Sequence, residues 1–435
     1  MPSSSPITGV RFLFRTFQYR NYRLFFAGQL TALTGHWMSL AALGWLVYRL
    51  TGDPLMLGLL GFFMHAPTFF LSPLGGVLSD RVDRRRIIIT AHLLDIVTML
   101  GLAGLTLSGR VETWHIFFAC ALLGIAKAFE MPARQALVVN IVEDPEKLSN
   151  AIALNSSIFH SARLLGPVVA GAVIIPLFGA HGEGICFLIG GIGYIAVIAS
   201  MLALSIAPRK RLPRDKDIFG EMKEGFAYAF GFAPTRALIL LMGAISLFGL
   251  PYATLLPIFA RQILGGDSGT YGILMAAGGC GALIGALFLA SRKSVLGLGR
   301  VIVLNTLTFG VALALFAVST QVWLSTALLL LAGGSSLTAI VATNTIIQTL
   351  VDDRRRGRVM SLFGMTFMGA LPIGALVFGK SASAIGAPTT IVIAAMLCMV
   401  AGGAFAWSLP TIRRVARPVY VKRGILPDES PRTHA

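Results

Sequence analysis

The chain has 435 residues, of which 55% are hydrophobic and 13% charged, with a mean hydropathy of +0.78 and a formal net charge of +17. So little charge cannot cover a soluble domain of this size, which excludes a water-soluble enzyme or binding module. A charge of +17 would suit a nucleic-acid partner, but the way it is distributed argues against one.

A membrane-spanning helix needs about 20 mostly apolar residues. In chain order, such stretches are predicted at 22–48, 54–79, 87–108, 113–142, 149–178, 184–206, 236–262, 268–290, 300–318, 322–350, 357–380 and 387–409. Runs this long and uniform favour helices over the alternating strands of a barrel. The breaks are short and hold charges and turn formers, as in Thr51-Gly52-Asp53-Pro54 and Asp144-Pro145-Glu146. The expected fold is an all-α polytopic membrane protein, with twelve transmembrane helices in two pseudo-symmetric six-helix halves. The longest internal polar interval, 207–235, divides an N-terminal half (1–206) from a C-terminal half (236–410), and a basic tail follows at 411–435. Within the interval, Ile218–Phe232 has the pattern of an amphipathic surface helix. At an offset of 208 residues, Asn140-Ile141-Val142-Glu143-Asp144 meets Gln348-Thr349-Leu350-Val351-Asp352, and Gly166 and Gly171 meet Gly374 and Gly379, an internal repeat.

Charge follows the spans. Of 36 Lys and Arg, 29 fall on the side of the two tails and four (Arg49, Arg110, Arg261 and Lys380) on the other. The remaining three, Lys127, Arg134 and Arg163, lie within spans. Short cytoplasmic loops carry the excess of positive charge, so both termini are expected in the cytoplasm, with the chain in the cell (inner) membrane. Topology thus accounts for the basic character, and no nucleic acid is called for. Met1–Arg20 lacks the apolar core of a cleavable signal. The four cysteines all lie in spans and lack metal spacing. There is no nucleophile elbow, HExxH, CxxC or P-loop. No enzymatic activity, cofactor or metal is expected.

One loop is denser in information than the rest: Gly75-Gly76-Val77-Leu78-Ser79-Asp80-Arg81-Val82-Asp83-Arg84-Arg85-Arg86. It resembles the signature between the second and third helices of the major facilitator superfamily. Asn21-Tyr22-Arg23, Pro132-Ala133-Arg134-Gln135-Ala136-Leu137, Arg163-Leu164-Leu165-Gly166-Pro167 and Arg356-Gly357-Arg358 extend the likeness toward the exporter branch that holds the enterobactin exporter and macrolide-efflux proteins. The resemblance implies substrate bound between two halves. It also implies a gating motif of Gly75, Gly76, Asp80, Arg81 and Arg84, with Asp80 latched on the N-terminus of span 11, where the helix dipole favours an anion. Asp83 departs from the pattern by replacing a glycine, and the equivalent loop at 291–300 has no acid. Gly166-Pro167-x-x-Ala170-Gly171 resembles the span-5 motif of antiporters. Its proline frees a carbonyl and bends the helix, and its glycines admit a neighbour.

Ionisable residues inside a membrane are functional candidates by default. Lys127, Glu130 and Arg134 share one helix face by their spacing of three and four. They form either a self-neutralised structural cluster or a proton site, with Glu130 and Asp95 as the proton-coupling candidates. Gln29, Lys127, Arg134, Asn155, Arg163 and Asn344 are the substrate-cavity candidates; polar rows of this kind line a cavity or bond neighbouring helices. The expected activity is proton-coupled export of a small amphipathic or aromatic compound, siderophore-like or drug-like, by alternating access. The alternative is a lysophospholipid or other solute transporter of different direction. Expected partners are the small-molecule substrate, protons and the lipid bilayer, with the chain acting as a monomer.

Overall fold

The computed structural model describes residues 20–141, 145–204, 226–292 and 294–426. They fold as helices, with no strand among the described residues. In chain order these are α1 (Arg20–Thr51), α2 (Pro54–Arg81), α3 (Arg84–Leu107), α4 (Thr113–Ile141), α5 (Pro145–Val168, extended below), α6 (Gly182–Ala203), α7 (from Ala233), α8 (Ser268–Ala290), α9 (Leu298–Val318), α10 (Val322–Leu350), α11 (Asp353–Ile385) and α12 (Ala387–Lys422). Among the described residues, eleven stretches are long and apolar enough to cross a membrane. One of them, Ser157–Ala203, is 47 residues long, about twice what one span needs. It holds two helices, because Gly179 adopts φ +54 and turns the chain between α5 and α6. The protein is therefore a multi-pass membrane protein.

Local chemistry sets the ends. Asp53 caps α2, its carboxylate accepting from the Leu55 amide at 2.8 Å, with Pro54 at the first helical position. Asp267 and Thr270 form a capping box on α8. Prolines break the regular ladder where they fall in mid-span, since each lacks a donor. After Pro167, α5 widens to a π-helical turn at Val169–Ile174 before a last α turn at Ile175–Phe178. The predicted span at 236–262 is discontinuous. From Ala233–Ala244 it passes through a π turn at Ile245–Gly249, a 3-10 segment at Leu250–Leu255, a short α turn at Leu256–Ile258 and a second π turn ending at Ile263, around Pro251 and Pro257. The last helix outruns its predicted end at 409, so the tail's Arg413, Arg414 and Arg417 ride on an extension of α12. Of the amphipathic segment expected at 218–232, residues 226–231 are helical and 218–225 lie outside the described residues.

Within the first half, α1 packs on α5 and α6, α2 on α4, and α3 on α4 and α6; within the second, α10 packs on α8 and α9, and α9 on α12. Two helix pairs, α2 with α11 and α5 with α8, join the halves. Both junctions are made of glycine. A Cβ added at Gly58 would lie 2.6 Å from the Ala375 carbonyl and 2.8 Å from Gly379 Cα; one added at Gly171 would strike the Ser268 carbonyl and Gly272. Positions set 208 residues apart make equivalent contacts: Gly166 lies on α1 and Gly374 on α7, while Gly171 meets α8 and Gly379 meets α2. Hydrogen bonds reinforce both junctions: Leu55 N–H donates to Ser383 Oγ (3.1 Å), Ser383 donates to Asp53 Oδ1 (2.9 Å), and Ser268 donates to the Gly171 carbonyl (3.0 Å). All three sit at the membrane face opposite the chain ends. Nearer the chain ends, a Cβ at Gly76, Gly357 or Gly364 would meet nothing within 4 Å.

Gly58→Leu forces a branched side chain into a backbone contact, an overpacking that costs about 1–3 kcal/mol. It should therefore part α2 from α11 at this face. An impermeant maleimide should then label an Ala375→Cys reporter several-fold faster in a cysteine-free background. Unchanged labelling would show that the contact is no seal.

Candidate functional site

The charged face of α4 is built by tight packing of α2 against it. Gly75 lies on the Ala128 carbonyl and Phe129, and Thr68 Oγ1 donates to the Gly124 carbonyl at 2.9 Å. This closes α4 on one side and buries Glu130 to 1% exposure, about 16 Å along the helix from Ile141. Lys127 Nζ donates to Glu130 Oε2 at 3.2 Å, and Arg134 Nε lies 2.6 Å from Oε1. The arginine contact is a close ion pair without hydrogen-bond alignment. Both cations share the one carboxylate, so the cluster carries a net charge of +1. Of the two readings left open by the sequence, the pairing itself is present; it occurs with both cations at once.

Behind the cluster lies a second polar group in the same half. His92 Nδ1 and Asp95 Oδ2 on α3 are 3.1 Å apart and both side chains are buried. The His92 ring stacks on Tyr194 of α6 with centroids 5.2 Å apart, and the Tyr194 hydroxyl lies 3.1 Å from His36 Nδ1 on α1. Asp95 thus finds its partner one turn back on its own helix rather than among the arginines at the helix start. Tyr194 went unnoticed in the sequence. The available signal was the run Gly190-Gly191-Ile192-Gly193 before it: Gly190 meets Gly35 of α1 backbone to backbone, which brings the ring to His36.

The remaining candidates scatter. Gln29 is buried on α1 with its Nε2 unpartnered, and Asn155 Oδ1 on α5 is buried and unpartnered. Asn344 on α10 accepts from Gln348 Nε2 at 2.8 Å. Arg163 lies midway along α5, its guanidinium 5.4 Å from the Trp37 ring centroid, with Gly279 of α8 against its backbone. None of the ion pairs among the described residues involves it. A cation at mid-membrane costs at least about 2.5–3.5 kcal/mol on insertion scales, so an unpaired Arg163 stands out. A formed cavity of about 370 Å³ lies elsewhere, inside the second half, where Leu238, Leu296, Leu409 and Ile412 wall it and Arg413 and Arg417 contribute to its lining. It is remote from the seam and from the charged cluster. No group of three or more metal-ligating side chains occurs among the described residues.

The gating loop does structural work that its charge alone did not reveal. Arg84 donates to the Ser79 and Ala136 carbonyls (3.3 and 3.2 Å), and Arg85 to those of Leu202 and Leu204 (2.7 and 3.4 Å). Arg85 therefore satisfies open carbonyls at the end of α6, where the helix dipole favours a cation, and Arg84 adds a donor to a carbonyl near the end of α4. Asp83, the departure from the family pattern, accepts from the Arg85 amide at 2.9 Å and caps α3. Asp80 is 61% exposed and its ionic partner is Arg84, 3.8 Å away on the neighbouring helix. None of the ion pairs among the described residues joins Asp80 to α11. At the other face, Arg49 donates two hydrogen bonds (2.8 and 3.3 Å) to Glu183, 1% exposed, and ties α1 to α6. Glu183 was passed over in the sequence, although an acid just after a turn glycine at a helix start is a recognisable site for a cap or pair.

Removing one member of a buried ion pair strands the other, at a cost of about 3 kcal/mol. Glu130→Gln should lower the melting temperature of the solubilised protein accordingly, and adding Lys127→Gln should restore part of the loss. A double variant that melts no higher than the single one would show that pairing is not what Glu130 contributes.

A profile of transmembrane secretion effectors matches residues 13–417. The Staphyloferrin A transporter of Staphylococcus aureus is 28% identical over 85% of this chain and 92% of its own length. Macrolide efflux protein A of Streptococcus pyogenes is 25% identical over 88% and 96%. Among solved structures, a POT family transporter in complex with 5-aminolevulinic acid superposes with a TM-score of 0.74 at 13% identity, covering 91% of this chain and 97% of that one, which speaks for the fold alone.

Proposed function

The chain belongs to the transmembrane secretion effector family of the major facilitator superfamily, and on that premise we propose that it exports a small amphipathic or aromatic compound by alternating access, driven by inward proton flow. The observation that carries this reading is a buried, ion-paired carboxylate inside one half of a two-half bundle whose seam is closed by glycine contacts at the face opposite the chain ends. Relatives named for efflux and for a siderophore support the direction and the class of compound.

The face bearing both chain ends is taken as cytoplasmic, since 29 of 36 cations lie there. The glycine junctions at Gly58–Gly379 and Gly171–Gly272 then close the outside, and the described state is one that accepts substrate from the cytoplasm. In the opposite state the junctions part, and the cytoplasmic ends of α2 and α11 come together. That movement is what would carry Asp80 from Arg84 to the start of α11. Glu130 supplies the coupling. A proton on it removes the charge that Lys127 and Arg134 share and raises the cluster from +1 to +2. The two cations must then find other partners, so proton occupancy biases which state of the bundle is stable. A regular helix end at Asp353 and an unlatched acid at position 80 are consistent with a contact made only in the other half of the cycle.

Two measurements test this. A knockout compared with its parent should either lose a specific compound from the medium or gain sensitivity to a set of unrelated toxic compounds; no change in either respect would overturn the export reading. In proteoliposomes, Glu130→Gln should abolish substrate-dependent proton movement while leaving substrate binding within a few-fold. Normal coupling in that variant would exclude Glu130 as the proton carrier.

A further inference from the structure

We propose that Arg163, Trp37 and His160 form an anion-binding subsite at the seam between the halves, and that the exported compound presents a carboxylate group on an aromatic frame. This rests on the transport reading and names its substrate class.

Three independent observations converge. The first is charge. The other two in-span cations, Lys127 and Arg134, share Glu130, while the buried acids Asp95 and Glu183 are taken by His92 and Arg49. Arg163 is left without an acidic partner among the described residues, facing an aromatic ring. Its planar fork matches a carboxylate two bonds at a time. The second is unmet hydrogen bonding. Trp37 Nε1 and His160 Nδ1 are buried and unpartnered. His160 precedes Arg163 by three residues, one turn of the same helix, and Trp37 is the residue under the guanidinium. An indole N–H can only donate, so its missing partner must be an acceptor.

The third is location. Arg163 belongs to α5, and Pro167 four residues on has no N–H to give it, so the Arg163 carbonyl is released from the helix ladder. The site of an added Cβ on Gly279 of α8 lies 3.3 Å from that carbonyl and 3.4 Å from Arg163 Cγ. The Tyr252 hydroxyl, from the broken part of α7, lies 3.2 Å from the site of an added Cβ on the adjoining Gly278. Elements of both halves therefore surround Arg163, at mid-depth and beyond the cytoplasmic opening proposed above. Trp37 packs edge-on against Phe159 with centroids 5.6 Å apart, so the wall beside the cation is aromatic. An aromatic anion satisfies the charge, the donors and the wall together. A cation–π pair alone would satisfy only the first in part.

The test uses the full-length protein in detergent and in proteoliposomes, with salicylate as the anionic probe and salicylamide as its neutral counterpart. The native protein should bind salicylate at least about tenfold more tightly than salicylamide, a ratio typical of one charge-assisted bidentate contact. Arg163→Gln should bring the ratio to about one by weakening salicylate only. Arg163→Lys, which keeps the charge and loses the fork, should fall between. Trp37→Phe, which keeps a ring and removes the N–H, should weaken salicylate several-fold and leave salicylamide unchanged. If Arg163→Gln does not fold, the last two variants decide. Equal affinities in the native protein, or equal losses for both probes, would overturn the subsite. Proton-driven transport is read separately. Transport that does not discriminate between the probes removes the subsite and leaves the exporter, whereas discriminating binding without transport removes the exporter and leaves the subsite.

Discussion

The close approach of backbone to backbone at the seam is the constraint on which the rest of the molecule depends. Lipid tails are as apolar as leucine, so burying apolar side chains gives two helices in a bilayer little reason to associate. What remains is dispersion at short range and hydrogen bonds to a neighbour's backbone. Gly58 against Gly379 and Gly171 against Gly272 supply the first, and Ser383 and Ser268 the second. Such contacts exist only at van der Waals distance, so they are made fully or not at all. Under the alternating-access proposal, that would favour two discrete arrangements of the junction over a range of intermediate ones.

A second constraint is that hydrocarbon does not solvate charge. Among the described residues, each buried carboxylate inside the bundle therefore has a local solution. Glu130 is shared by two cations, Asp95 is held by His92, and Glu183 by Arg49. At the face bearing the chain ends, Arg84 and Arg85 donate to backbone carbonyls of α4 and α6, and Arg84 also pairs with Asp80. Arg163 has the weakest solution, an aromatic ring, and it sits where the helices are least regular. Proline breaks both α5 and α7 beside it, and irregular backbone at this depth is tolerated only where protein or a cavity covers it.

How much was legible depended on the range of the cause. The twelve spans could be read because hydropathy is summed residue by residue, and the α5–α6 division because Gly179 sits among polar and turn-forming neighbours. Lys127, Glu130 and Arg134 were legible as a unit because helical spacing alone puts them on one face. Tyr194 and Glu183 were not, since each matters through a helix distant in sequence: Tyr194 through His36, 158 residues away, and Glu183 through Arg49, 134 away. The arginine run was visible as charge, but its task was not, because the backbone carbonyls it reaches on α4 and at the end of α6 are acceptors that no sequence pattern marks. The span at 236–262 reads in sequence as one continuous helix, and the break around Pro251 and Pro257 came only with the fold, where α11 packs against it through Gly374.

By itself the sequence determined that this chain is a bundle of membrane-spanning helices, on which side of them its positive charge lies, and which residues carry charge into the bundle. These follow from composition and helical period, properties that each segment holds alone. Tertiary structure decided which glycines became junctions, which cations were paired, and which one was left facing the seam. The junctions and the Arg49–Glu183 pair rest on contacts such as those of 2.8 and 2.9 Å between segments more than a hundred residues apart, and a linear pattern carries no record of such distances until the chain has folded.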